Sequence, residues 1–158
     1  MFQYFDVKLV YWAHMKLHIV TIGAPKLAYA KQGWEEYIKR LGRFHQVRTS
    51  HLADKYADDA KQLMTTAGNA YLVAMEITGE QHTSEQLAAF LEKRAMGGRE
   101  VCFMIGGPDG LPQDVRRAAD SRWSLSRLTM PHDLAMVVTA EALYRASSIS
   151  AGHPYHRG

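Results

Sequence analysis

His153-Pro154-Tyr155-His156-Arg157 put two imidazoles, a phenol and a guanidinium into five consecutive residues. Groups of these types exchange protons and hold anions. The segment reads either as a frayed end beyond the last helix or as an arm that reaches an active site. A second candidate is the run Ile105-Gly106-Gly107-Pro108-Asp109-Gly110, where glycine lets a backbone approach a ligand closely. Its spacing is neither Gly-x-Gly-x-x-Gly nor Gly-x-x-x-x-Gly-Lys-Ser/Thr, so it indicates neither a dinucleotide site nor a phosphate cradle. As a bare pattern it is equally a structural turn. Ser147 and Ser148 lack the Gly-x-Ser-x-Gly elbow of a hydrolase, and Cys102 within an apolar run reads as core packing. The eight histidines are scattered, and read as surface or core residues rather than a metal cluster.

These residues need elements to position them, and the chain supplies an alternation of strand-like and helix-like segments. Residues 16–22 form an apolar run ended by Gly23. Leu27, Ala30, Trp34, Tyr37, Ile38 and Leu41 then recur at helical spacing after Pro25, with Gly42 as a stop. A short strand is expected at 45–52, a helix from Asp54 to Ala67, and a buried strand at 70–76. Thr83-Ser84-Glu85-Gln86 fits a capping box for a helix that runs to Gly97-Gly98. Val101–Ile105 is a strongly apolar strand, and Pro112 sits where a helix would begin. A strand at 123–129 and a helix at 132–150 complete the series. Such alternation with short connections predicts an α/β fold, a mostly parallel sheet with helices on both faces. Ligands of such sheets bind at the carboxyl ends of the strands, here Ala74–Glu76, Ile105–Gly110 and Leu125–Pro131.

The 132–150 helix is apolar nearly all round, from Leu134 and Met136 to Ala146 and Ile149. It therefore needs cover on more than one side. A second copy of the chain would give that cover as a homodimer; a neighbouring helix beside the sheet is the alternative. With 158 residues, the chain is one domain's length, and 47% hydrophobic with 22% charged residues is ordinary for a folded protein. No stretch approaches a membrane span. One cysteine fits a reducing, cytoplasmic setting. A net charge of +3 and a pI near 9.0 are compatible with a nucleic-acid partner without demanding one. Residues 1–14 are aromatic-rich with no basic start or small-residue cleavage pattern, so they are not read as a secretory signal. They read as an extension, or else as an added edge strand, before a single domain at 15–158.

Several motifs coincide at matching spacing: Ile105–Gly110, Trp123-Ser124-Leu125-Ser126, Leu128-Thr129-Met130-Pro131-His132, Glu141-Ala142-Leu143-Tyr144-Arg145-Ala146, and His153–Arg157. Together they resemble the bacterial large-subunit ribosomal RNA methyltransferase H family of the SPOUT superfamily, from about Met15 onward. The resemblance implies a C-terminal deep trefoil knot, a homodimer, and S-adenosylmethionine as cofactor without a metal. It implies methylation of N3 of a pseudouridine in helix 69 of 23S ribosomal RNA. It carries cofactor binding to Met75 with Glu76 adjoining, Gly107, and Ser126, Arg127, Leu128, Thr129, Met130 and Pro131. Catalytic roles fall on Tyr155, His156 and Arg157. The family commonly has leucine where Met75 stands and often tryptophan where Ser147 stands. A non-catalytic ribosome- or RNA-binding module on the same fold is the competing reading, and the intact cofactor-loop and tail motifs count against it. A Rossmann-type oxidoreductase would lack its glycine fingerprint.

Overall fold

In the computed structural model, which describes residues 15–158, Leu17, Ile19, Val20 and Ile22 make β1 (Lys16–Ile22) a strand buried on both faces. β4 (Val101–Ile105) is buried at every position. Such continuous apolar runs are what a parallel strand covered by helices requires. With β2 (Gln46–Leu52), β3 (Tyr71–Gln81) and β5 (Ser121–Ser124), they form one all-parallel sheet in the order β2-β1-β4-β3-β5. The predicted α/β class and parallel sheet are therefore observed. Residues 1–14, read above as an extension, lie outside the described residues.

Helices α1 (Ala28–Leu41), α3 (Ser84–Met96) and α5 (His132–Ser150) cover one face of the sheet. Their Trp34, Leu41, Leu87, Leu91, Met136 and Leu143 pack on Leu17, Ile19, Val73 and Phe103. The short helices α2 (Ala60–Ala67) and α4 (Gln113–Ala118) cover the other face over Val20, Leu72, Cys102 and Met104. Cys102 is core, as read, and burial pushes its thiol up to about 12. The capping box of α3 is formed: Gln86 N–H donates to Thr83 Oγ1 at 3.0 Å, and Thr83 N–H to Gln86 Oε1 at 2.9 Å.

α5 lies between α1 and α3, so neighbouring helices within one chain supply much of the cover that its composition demands. What stays partly open is a strip at helical spacing, Leu134, Val138, Glu141 and Arg145. Ser147, at the position where the resembling family often has tryptophan, is buried. Its hydroxyl donates to the Leu143 carbonyl at 2.7 Å and lies 2.8 Å from His45 Nε2.

Three expectations are corrected. The predicted Asp54–Ala67 helix is a 3-10 turn (Asp54–Tyr56) followed by α2, which Asp59 caps by accepting from Gln62 N–H at 2.9 Å. The strand predicted at 123–129 lies at Ser121–Ser124, and the apolar residues after it leave the sheet as a loop. The strand predicted at 70–76 continues to Gln81 because it makes a second contact with β5. Met75 and Glu80 both register with Trp123, so residues 76–79 bulge out between them.

Gly79 closes this bulge against backbone. A Cβ there would lie 2.8 Å from both the nitrogen and the carbonyl carbon of Trp123. Gly79→Ala is expected to cost about 1–3 kcal/mol by overpacking. Chemical denaturation measures it, and an unchanged midpoint would show that the bulge yields freely.

Candidate active site

The parallel order brings the carboxyl ends of β3, β4 and β5 to one edge of the sheet, where such folds place ligands. A cleft of about 380 Å³ opens there. Three strand ends, Arg116 of α4 and the start of α5 build it. β3 contributes Met75, Glu76, Ile77 and Thr78 through its bulge, and β4 contributes Ile105 with the Gly106–Leu111 turn. Trp123, Leu125, Ser126, Leu128, Thr129 and Met130 come from β5 and its loop; His132 and Ala135 come from α5.

The glycine turn is built for steric reasons that differ along it. A Cβ on Gly106 would stand 2.5 Å from the carbonyl carbon of Gly110 and 2.6 Å from the nitrogen of Leu111. Gly106 is thus required by the chain's own fold. A Cβ on Gly107 would meet Ile22 and Ala57 at ordinary distances, 3.6 and 3.7 Å. Alanine fits there, so Gly107 faces the cleft through its backbone rather than through a forbidden side-chain direction.

Glu76 is the most buried charged group of the cleft, with its side chain 8% exposed. Arg116 Nη1 lies 3.5 Å from one carboxylate oxygen and Arg122 Nη1 3.4 Å from the other. Neither oxygen has a hydrogen-bond partner among the described residues. The two guanidiniums offset the charge while leaving acceptor capacity facing the cleft.

His132 and Asp133 form the other polar corner. Asp133 Oδ2 accepts from the backbone N–H of Lys26 at 2.8 Å and of Leu27 at 2.6 Å, which ties the β1–α1 connection to the start of α5. Burial opposes ionisation of Asp133, but the Leu27 and Lys26 bonds outweigh it and hold the carboxyl below the usual carboxylate range.

Seven of the residues read from the sequence as cofactor-binding therefore line one cleft: Met75, Glu76, Gly107, Ser126, Leu128, Thr129 and Met130. Arg127 and Pro131, in the same loop, do not line it. Leu128 is 75% exposed at its mouth. Ile77, Thr78, Arg116 and His132 were not assigned from sequence. The bulge that presents Ile77 and Thr78 depends on long-range pairing, whereas His132 had a signal, as the last residue of a quoted motif.

The tail residues gather elsewhere. Tyr155 packs its ring on Tyr144 at 4.6 Å and donates its hydroxyl to Glu141 at 3.0 Å; Tyr37 Oη lies 3.1 Å away. Burial, then these two contacts, raise the Tyr155 phenol far above its ordinary value. Arg145 Nη1 donates to His156 Nδ1 at 3.3 Å, and His156 Nε2 pairs with Glu85 at 2.9 Å. Arg157 is exposed. The tail thus covers the outer strip of its own α5 at Glu141 and Arg145. At ~1.5 Å of rise per residue, that is about 14–20 Å along the axis from His132.

The family described as "Predicted SPOUT methyltransferase" matches residues 15–156. A protein of Deinococcus radiodurans named ribosomal RNA large subunit methyltransferase H is 49% identical over 146 residues, covering 91% of this chain and all of its own length. The protein of that name from Deinococcus deserti is 50% identical over 145 residues, 90% of this chain and all of its own. One from Acinetobacter baumannii is 40% identical over 158 residues, 90% of this chain and 99% of its own.

The lowered Asp133 carboxyl fixes the sign of a pH effect. Its contribution to stability is complete above about pH 4, the unfolded range, and is lost as pH falls through the folded value. Asp133→Asn is expected to flatten the acid limb of the melting temperature plotted against pH. An unaltered limb would remove this carboxylate from that role.

Proposed function

Since the chain belongs to the SPOUT methyltransferase family, we propose that it methylates N3 of a pseudouridine in helix 69 of 23S ribosomal RNA with S-adenosylmethionine. The observation that carries this reading is the cleft itself, which collects the three cofactor segments suggested by sequence resemblance. Its chemistry fits the cofactor. Met75, Ile105, Leu125 and Met130 offer apolar surface to an adenine, and the buried Glu76 oxygens lack the donors that a ribose or ammonium would supply. Loop 126–131 presents backbone to the adenine, with Arg127 and Pro131 shaping it from outside. When bound, S-adenosylmethionine supplies a methyl group already activated on a sulfonium, so no metal is needed.

The chain's own residues must place the base, accept its proton and hold the RNA. Arg116 and Arg122 carry positive charge beside the cleft. Tyr155, His156 and Arg157 complete the site of a partner subunit in this reading. Two features support that arrangement: the tail lies along α5 away from its own cleft, and it borders the strip of α5 that one chain leaves partly open. α5 is then the homodimer helix, the C-terminal segment is threaded as the superfamily's trefoil knot, and the enzyme works in the cytoplasm.

Calorimetry with S-adenosylmethionine and mapping of N3-methylpseudouridine in 23S RNA from a strain lacking the gene test this reading. Cofactor binding and loss of the modification are expected. Intact binding to ribosomes without cofactor binding would favour an RNA-binding module instead. Sedimentation should give about twice 17.8 kDa, and a clean monomer would refute the dimer.

Deleting Tyr155–Gly158 should leave cofactor binding in place while methyl transfer falls by orders of magnitude. In mixed dimers, one subunit lacks the tail and the other carries a cleft-blocking substitution at Glu76. One composite site survives if each cleft uses the partner's tail; inactive mixed dimers would place the tail within its own subunit.

A further inference from the structure

Methylation at N3 requires the base to lose a proton, and the cleft holds a group poised for it. Resting on the methyl-transfer reading above, we propose that His132 accepts the N3 proton through Nε2. Its side chain lines the cleft and is only 18% exposed. Nε2 is buried and has no hydrogen-bond partner among the described residues. A buried polar atom without a partner is costly, so its retention at a cleft wall calls for a ligand that supplies a donor.

The ring's other nitrogen explains why Nε2 is the acceptor. Nδ1 stands 3.5 Å from Asp133 Oδ1, while Oδ2 of the same carboxylate is held by the Lys26 and Leu27 N–H groups. A carboxylate on the Nδ1 side favours the tautomer with its proton there and leaves the Nε2 lone pair available. Because Asp133 is fixed to backbone, the ring inherits a fixed direction. Among the described residues, Asp133 on α5 and His51 on β2 are titratable groups coupled to His132. Burial, then the charge of His132, lower the pKa of His51.

Of the carboxylates that line the cleft, Asp109 is exposed to water on the glycine turn. Glu76 is held by the charge of two arginines, and the reading above gives its open oxygens to the ribose or ammonium of the cofactor. In the observed tail, Tyr155 donates to Glu141, and both nitrogens of His156 are occupied by Arg145 and Glu85.

The step balances as follows. The N3–H bond breaks and its proton passes to Nε2. The electron pair left on N3 forms the bond to the methyl carbon, and the sulfur–methyl bond breaks with its pair retained by a neutral thioether. The imidazolium then releases the proton to water.

Single-turnover methyl transfer to ribosomes by His132→Gln, with calorimetry of S-adenosylmethionine binding on the same protein, tests the assignment. The rate is expected to fall about 100-fold, the low end for a general base, while cofactor affinity stays near wild type. The wild-type rate should level off with rising pH, and the variant should keep climbing in proportion to hydroxide. His132→Ala should regain rate on adding imidazole, an effect that a merely structural residue does not show. Parallel losses of rate and cofactor affinity would overturn the proposal and make His132 a cofactor anchor. An unaltered rate or pH profile would overturn it outright. Active wild type isolates that failure to His132; a wild type that binds the cofactor yet leaves the pseudouridine unmodified overturns the underlying reading as well.

Discussion

The cleft exists because β3 parts from β5 for residues 76–79 and then returns to it. A continuous parallel pair would close the sheet at this edge and leave Glu76, Ile77 and Thr78 alternating across its faces. The bulge turns that segment toward the loops after β4 and β5 instead. Its return is possible only because Gly79 lets β3 approach the Trp123 backbone more closely than any Cβ permits. Trp123 is the shared anchor: it registers with both ends of the bulge, and its ring stacks edge-on with core Phe103 at 5.9 Å. The site's opening is thereby fastened to the centre of the sheet.

The same economy governs the opposite wall. Asp133 gives one oxygen to two backbone N–H groups and turns the other to His132. The connection after β1 has no side-chain cap for α1, whose preceding residue Leu27 donates its N–H to this carboxylate. One buried charge therefore closes a loop, secures the start of α5 and orients a cleft imidazole. Charge-assisted bonds of this type are stronger than neutral ones, which suits a junction between three elements.

Much of the architecture is legible because it depends on local pattern. The Thr83–Gln86 capping box predicts where α3 begins, and the apolar density of 132–150 predicts α5. The fully apolar Val101–Ile105 can only be a central strand. Failures occur where tertiary contacts override local preference. Leu125 and Leu128 look like a continuation of β5, yet Leu125 lines the cleft and Leu128 stands at its exposed mouth. Asp54 resembles a helix cap, but only a 3-10 turn follows it and Asp59 caps the helix proper. At the site, the glycine run is visible in sequence while its division of labour is not. Whether Gly106 or Gly107 is sterically obligatory depends on how the turn folds back on Gly110 and Leu111.

The tail shows why site chemistry is harder to place than site residues. Its composition signals proton transfer, yet the groups observed on one chain neutralise one another: phenol to carboxylate, imidazole to guanidinium and carboxylate. Raising the Tyr155 phenol keeps it protonated, so it goes on donating its O–H and offers no phenolate to take a proton. Such a group serves better to hold a base or a neighbouring chain than to remove its proton. The cleft has the complementary need, a proton acceptor with a free lone pair, and meets it from the start of the helix whose far half the tail covers. Binding groups and proton acceptor thus occupy opposite ends of α5. A helix shared between two subunits can bring those ends together across an interface, whereas a single straight helix keeps them about 14–20 Å apart.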